Sequence, residues 1–542
     1  MLAKYSRKVS YLWKEEYRKR HLIGKRVKEK VRSMSQEYFN KEEVSKEGFE
    51  IFEALMQGNE HGASFIIDEL MTIVHDGNSS KNLTEKYYAE KVLRFIQQQR
   101  LKKEWGNFLS QPPSRQSLEK GAVLLAQWCQ PTVDITINGV SDQLDVIATK
   151  VQKLLSERFK DHPACKGELL DVTEVQSSRW EPVQCKMVLE AVNYVLYQEL
   201  EFHGNSDDYY LPDNSYINRV LETKTGIPIS LAVVYCSVAL RLGVVCEPVN
   251  FPSHFLLRWL QNPNLPEEQQ YTYIDVFHEG RFMDENQCTN LLPYNTYTIN
   301  RHVFDPAMPL MVFERMMRNL INIGRQVLGH GGDSLLMLRT ALELFLILRP
   351  DDLEMTLLLS RVYLNIGINL SDVVDMLKRL ATSVGPQQSS LITYLIMLAE
   401  ERQNSEPQEK VKIKLRSEFP RVKHAVGMIM KHKKYHYTCV IYGWDNKCEA
   451  TFEWMNQMGV HKLPLGPDQP FYNVLVEDGS NRYAAQENLL TTEEPCKITH
   501  PEVGKYFCDF RDTYYLPNKE KLDQYPEDLP VLDSYVRDTY GN

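Results

Sequence analysis

The sequence contains no C-x-x-C pair, although it carries ten cysteines in 542 residues. Widely spaced single thiols are expected to stay reduced, which excludes a disulfide scaffold and fits a chain of the cytosol or nucleus. The start is basic and has no apolar leader segment, so no secretory signal is expected. Without secretion, the glycosylation patterns at Asn78 and Asn82 have no consequence. No uncharged run reaches the roughly 18 apolar residues that a membrane helix needs, so no membrane partner is expected. Positive charge is not in excess either: 63 Lys and Arg stand against 72 Asp and Glu, a net charge of -9. That excludes a whole-chain nucleic-acid coat and leaves room only for a local basic patch. The basic start through Arg32 and the acidic end after Asp512 read as solvated helix faces or tails.

What is present is ordinary globular composition, 43% hydrophobic and 25% charged, enough to bury several cores. At about 150 residues per domain, the length predicts three or four domains. From Leu12 to about Leu109 the apolar spacing is helical, and Pro112 and Pro113 break it. A second helical stretch begins at Leu118. Between Val183 and Phe282 helices and strands mix. A helix runs on from Val183, and another begins at Asn214 or Ser215, either of which can cap it. A strongly apolar helix spans Ser230 to Leu242, with Pro228 in its first turn, where a missing N–H is harmless. Short aromatic-rich runs at Glu247, His254–Trp259 and Tyr271–Asp275 read as strands. From Met311 to Glu400 the pattern is helical again, with Leu338, Ala341, Phe345 and Leu348 on one face. Pro-marked stops give these helices a tetratricopeptide-like spacing. A polar linker follows. Beyond it, strand-like runs at Val426, Tyr437 and Phe471, with turns at Trp444 and Gly479, predict a small barrel or sandwich that folds as its own unit.

Three polar residues in the middle section stand in the order of a nucleophile, a base and an orienting carboxylate: Ser230 at a helix start, His254 and Asp275. Ser230 lacks the low-pKa thiolate that makes cysteine reactive, and Cys236 and Cys246 read as core. The bland expectation is that His254 and Asp275 form a structural hydrogen-bonded pair.

The same stretch resembles a known family. Gly204-Asn-Ser-Asp-Asp-Tyr-Tyr, Asn214-Ser-Tyr-Ile-Asn-Arg-Val-Leu, Thr225-Gly-Ile-Pro-Ile-Ser, Asn250-Phe-Pro-Ser-His-Phe-Leu-Leu-Arg and Tyr273-Ile-Asp look like the transglutaminase-like core of the bacterial SirB type. The resemblance implies a Cys, His and Asp triad. His254 and Asp275 match its last two members, and the Cys position falls at or near Pro228. It therefore implies a degenerate site (Pro228, Ser230, His254, Asp275) without catalysis.

The C-terminal segments Val426-Gly-Met-Ile-Met-Lys-His-Lys-Lys-Tyr, Cys439-Val-Ile-Tyr-Gly-Trp-Asp, Gln469-Pro-Phe-Tyr-Asn-Val-Leu-Val-Glu-Asp and Tyr483-Ala-Ala-Gln-Glu-Asn-Leu resemble the YccV-like (HspQ) domain, also called the hemimethylated-DNA-binding domain. Lys431, His432, Lys433 and Tyr435 are its basic, aromatic-interleaved candidates for binding, joined by Trp444, Asp445 and Tyr472. His432, His436, Cys439 and Cys448 have no zinc-ligand spacing, so neither a metal nor a cofactor is expected.

Together the two modules and their helical connection are similar to the F-box only protein 21 family, whose members recruit substrates to cullin-based ubiquitin ligases. Ser10-Tyr-Leu-Trp-Lys-Glu-Glu-Tyr-Arg looks like the tail of an F-box, so Leu12, Trp13 and Tyr17 are the adaptor-binding remnant. The implied partners are protein substrates, and a Skp adaptor with its cullin where the full F-box is present. DNA is the alternative partner, through the barrel, and a cysteine-type acyltransferase is a second alternative that lacks its nucleophile.

The fold class that follows is multidomain α+β. An F-box remnant (1–22) leads into a helical region (23–115) and a transglutaminase-like domain (116–302). A tetratricopeptide-like segment (303–401), a linker (402–410), the barrel (411–517) and an acidic tail (518–542) complete it.

Overall fold

A computed structural model describes residues 10–41, 43–75, 82–165, 169–170, 177–292, 301–326, 332–382, 385–404, 412–492 and 494–541. The chain divides into two compact units. One holds Gln98–Gln326 and Met337–Met355, the other Met1–Gln97, Val327–Leu336 and Thr356–Asn542. No described helix is long and apolar enough to cross a membrane.

The first of these units is built on the helix Pro228–Arg241. Pro228 occupies its first position, and thirteen residues from Pro228 to Arg241 are buried, with only Leu240 outside that set. A helix apolar on every side belongs in the middle of a core, and here it packs among the helices Leu118–Cys129, Ile137–Arg158, Pro182–Asn193 and Ile217–Thr223. Ser117 and Thr136 cap two of them by accepting the N–H groups of Lys120 and Gly139, which satisfies donors that no helix can pair internally. An antiparallel sheet follows, in the order Glu247–Val249, Leu256–Leu260, Tyr271–Asp275, Arg281–Met283. Its register sets Leu257 opposite Ile274 and Asp275 opposite Arg281.

Two local expectations are corrected here. Asn214 and Ser215 lie in a short 3-10 turn, and the helix Ile217–Thr223 starts after Tyr216 without a side-chain cap. Asn214 instead donates to the carbonyls of Asp208 and Tyr209, at 2.8 and 3.2 Å, and so ties down the loop before it. His254 lies two residues before its strand, in a turn where Ser253 adopts φ +55.

In the other unit, the helix Ser10–Tyr38 runs without interruption through the expected boundary at residue 22. Val27, Val31, Phe52, Ile66, Leu70, Val92 and Ile96 form a core among the N-terminal helices. Leu370–Ala381 and Pro386–Asn404 pack as a helix pair. Residues 402–404 of the expected linker continue the second of these helices, and 405–411 lie outside the described residues. In the other body, Leu338, Ala341, Phe345 and Leu348 are all buried on one face of Gly332–Leu348, as their spacing predicts.

The C-terminal sheet has five antiparallel strands in the order Asn481–Ala485, Phe471–Val476, Thr438–Asp445, Ile429–His432, Leu489–Thr491. Its two outermost strands are consecutive in the chain, joined by the single turn Gln486–Asn488. That short join requires the sheet to curl toward closure, as a small barrel does. Residues 518–542, expected to be an acidic tail, carry the helices Lys519–Gln524 and Asp528–Tyr540, with Leu532 fully buried in the barrel core. The N-terminal helices also meet this module. Thr84 Oγ1 donates to the carbonyl of Phe507 at 3.0 Å and Ser35 Oγ to Glu520 at 2.8 Å, both buried. A Cβ at Gly504 would lie 2.3 Å from the carbonyl oxygen of Leu83. The barrel therefore shares its surroundings with both ends of the chain.

This packing produces one pH-dependent term. Lys521 is buried among Tyr442, Tyr506 and Tyr525, with its ammonium 4.9–5.6 Å from their ring centres. Burial, and then the neighbouring charges of Lys505 and Lys414, pull its pKa down to about 7. In an unfolded chain a lysine titrates near 10.4. Between those values the unfolded state binds a proton that the folded state does not, so stability rises with pH. Denaturant titrations at pH 7 and 9 are expected to show this rise in the wild type and a flatter response in Lys521→Met. Equal pH responses would refute the assignment.

Candidate functional site

Asp275 ends its strand and carries the polar centre of the transglutaminase-like unit. It is buried, and its Oδ1 accepts the backbone N–H groups of Phe277 at 3.1 Å and His278 at 3.3 Å. These bonds fix the carboxylate on the turn that leads to Gly280. His278 Nδ1 lies 2.8 Å from Oδ2, and His254 Nε2 lies 3.1 Å from Oδ1. That second approach makes no hydrogen bond, so His254 Nε2 is buried without a hydrogen-bond partner. Burial raises the pKa of Asp275, but the imidazoles of His254 and His278 outweigh it and hold the carboxyl below its ordinary range. Two rings thus converge on one fixed carboxylate.

The other half of the expected triad is chemically quiet. Ser230 is buried; its hydroxyl lies 2.6 Å from the carbonyl of Asn214 and 3.0 Å from that of Ile227, and it accepts the Ile227 N–H. A hydroxyl tied to three backbone groups caps its helix; it is not offered to a substrate. Pro228 is buried at the first helical position and brings no reactive group. The buried thiols of this unit, Cys185, Cys236, Cys246 and Cys288, are all pushed up by burial, Cys288 to about 12. That is the opposite of what a thiolate nucleophile requires.

In the barrel, the basic residues sit on the hairpin that joins Ile429–His432 to Thr438–Asp445. His432 is buried, and its Nδ1 accepts the N–H groups of Lys434 and Tyr435 at 3.2 and 3.1 Å. Its ring is sandwiched by Tyr435 and Tyr437, with centroids at 5.0 and 4.7 Å. This scaffold projects Lys431, Lys433 and Lys434 into solvent, together with Tyr435, which is 63% exposed. The remaining barrel candidates are elsewhere. Trp444 and Tyr472 are fully buried, and Asp445 is buried beside Lys414 and Tyr483. Tyr472 Oη accepts the N–H groups of Lys423 and His424 and donates to Gln486. These three are core polar residues and present no binding face.

The family description "Transglutaminase-like superfamily" matches residues 138–318, and "Hemimethylated DNA-binding protein YccV like" matches 422–514. The chain is 40% identical to F-box only protein 21 of Pongo abelii, over 98% of this chain and 83% of that protein. Against F-box only protein 21 of Homo sapiens the identity is again 40%, over 98% and 84%. The chain belongs to the F-box only protein 21 family. Partial similarity extends to a UPF0162 protein of Xylella fastidiosa (strain 9a5c), 36% identical over 141 residues, 25% of this chain and 48% of that one. No solved structure matches.

Leu12 lies on the helix Ser10–Tyr38, and its side chain is outside the described residues. Trp13 and Tyr17 are 52% and 62% exposed and stack on each other, with centroids 6.3 Å apart and planes within 6°. Their fourfold spacing puts them on one helix face.

Two residues escaped the reading of the sequence. His278 follows Asp275 by three, a spacing that a tight turn brings together, but no periodic pattern draws the eye to it. Arg482 stacks over Tyr437 at 4.4 Å. It adds a cation to the hairpin's surroundings across a strand pairing that linear spacing does not reveal.

Proposed function

We propose that this chain is the substrate-recognition subunit of an SCF-type (Skp-cullin-F-box) E3 ubiquitin ligase, acting in the cytosol or nucleus without catalysis of its own. The observation that carries the reading is the 40% identity to F-box only protein 21 across 98% of the chain. The quiet chemistry around Ser230 and the raised thiols favour docking over acyl transfer. In this reading the transglutaminase-like unit and the barrel are docking surfaces for protein substrates, and Trp13 and Tyr17 are an exposed pair on the first helix that can add to adaptor contact. A single exposed pair grips weakly, because affinity comes from buried clusters of anchors. A pull-down with purified Skp is expected to show tight capture, with cullin assembly, when a complete F-box is placed upstream of Trp13. Failure of the extended form would reject the ligase assignment.

A second reading, DNA binding by the barrel, is favoured by the exposed Lys431, Lys433, Lys434 and Tyr435 hairpin beside Arg482. Each phosphate contact adds roughly 0.9 to the slope of log affinity against log salt. The double change Lys433→Gln and Lys434→Gln is therefore expected to flatten that slope by about 2 on duplex DNA. A binding curve insensitive to salt, or no binding at low salt, rejects this reading.

A further inference from the structure

His254, Asp275 and His278 each offer one donor atom, and these atoms all lie within 4.8 Å of one another. Two imidazoles and one carboxylate make a donor set suited to zinc, iron(II), cobalt(II) or nickel(II). It is poorly suited to calcium or magnesium, which take oxygen ligands. We propose that these three residues bind one divalent first-row transition-metal ion, with its remaining position open to solvent.

Three independent features support the site. First, His254 Nε2 is buried and has no hydrogen-bond partner. A buried polar atom left unsatisfied costs about 1–3 kcal/mol, and a metal ion placed beside it supplies the missing interaction. Second, Asp275 is preorganised: its Oδ1 is held by the N–H groups of Phe277 and His278, as ligating carboxylates are held in built metal sites. The same turn carries His278, whose Nδ1 lies 2.8 Å from Oδ2. Third, the burial is graded. The side chains of Asp275 and His254 are 3% and 14% exposed, and that of His278 is 62% exposed. A centre anchored inside and opened by one exposed ligand leaves room for a water molecule or an anionic group from a partner, the arrangement of an open rather than a closed site. The unit's thiols lie buried with raised pKa values, so nitrogen and oxygen are the donors on offer.

The experiment uses the full chain, reduced with a non-chelating reagent, and cobalt(II) chloride as the probe. Expected is one ion per chain, with visible d–d absorption and no thiolate charge-transfer band, and displacement by zinc chloride. His278→Ala is at an exposed position and is expected to leave the circular dichroism unchanged. It should weaken cobalt binding beyond the roughly 10–100-fold that loss of a ligand's supporting partner costs. His278→Cys is expected to restore binding and to add the thiolate charge-transfer band, which can arise only if position 278 touches the ion. Absence of a d–d spectrum in the wild type would overturn the proposal. So would binding that His278→Ala leaves unchanged, or a thiolate band already present without the substitution. Each of those results would leave His254, Asp275 and His278 as a polar cluster of the fold, and none of them bears on Skp capture.

Discussion

Replacing Asp528 with alanine is expected to destabilise the barrel-containing unit by about 3–5 kcal/mol, the usual penalty for removing one partner of a buried ion pair. Asp528 lies on the C-terminal helix, far in sequence from the partners of its side chain. Its Oδ1 accepts Nε and Nη2 of Arg416 at 3.1 and 2.9 Å, and its Oδ2 accepts Trp444 Nε1 at 3.0 Å and the Val426 N–H at 2.8 Å. Burial pushes this carboxyl above its ordinary pKa even with Arg416 beside it, a sign of how strongly the site is desolvated. Alanine leaves a largely buried guanidinium and two donors without their acceptor. Asp528→Asn keeps the shape and an acceptor oxygen, and is expected to lose less. Denaturant unfolding followed by Trp fluorescence checks both. A loss below about 1 kcal/mol for the alanine variant would mean that water reaches Arg416 and that the network contributes little. The same geometry revises where the barrel ends. A fragment stopping at residue 520 omits Tyr525, Asp528 and Leu532, all part of its buried core or network. Such a fragment is expected to unfold more readily than one extending to residue 541.

The second large effect concerns Arg241 in the transglutaminase-like unit. Its side chain is 2% exposed and forms a two-pronged pair with Glu119, with Nη1 to Oε2 at 2.7 Å and Nη2 to Oε1 at 3.1 Å. Asp145, Ser141 and the Ser237 carbonyl take further guanidinium donors. Arg241→Ala leaves the Glu119 carboxylate buried and unpaired, and is expected to cost about 3–5 kcal/mol. Changing both partners, Arg241→Met with Glu119→Leu, is expected to recover much of that loss, because apolar replacements of a buried pair are often neutral. A double variant no better than the single one would show that the remaining contacts of Arg241, to Asp145 and Ser141, hold the energy. Comparing unfolding midpoints of the three proteins decides between these.

Much of this architecture was legible from residue order. The strongly apolar run Ser230–Leu242 announced a helix, the Leu338, Ala341, Phe345 and Leu348 stripe one helix face, and the aromatic runs at His254–Trp259 and Tyr271–Asp275 strands. The two domain resemblances were also readable, because each rests on local strings of residues whose spacing survives in one dimension. The structure brings His254 Nε2 within 3.1 Å of Asp275 without the expected hydrogen bond, and His278 went unread because a turn and not a period brings it to the carboxylate. Trp444, Asp445 and Tyr472 looked like a binding face because aromatics and acids on strands are exposed as often as they are buried. Which of the two a strand residue becomes depends on the side of the sheet that faces the core, and a bulge between Ile441 and Gly443 shifts that alternation.

The sequence by itself determined most of the elements, the two domain families and the absence of a cysteine at the helix start, since these rest on residue identity and spacing along the chain. Only the tertiary structure decided that the acidic end carries Asp528 into the barrel's core and that Thr84 and Ser35 meet residues more than four hundred positions away. It alone also decided that Ser230 spends its hydroxyl on the backbone. The physical reason is that charge and polarity in a sequence state what a side chain needs, while burial decides which partner satisfies it, and that partner is chosen by packing across the whole fold.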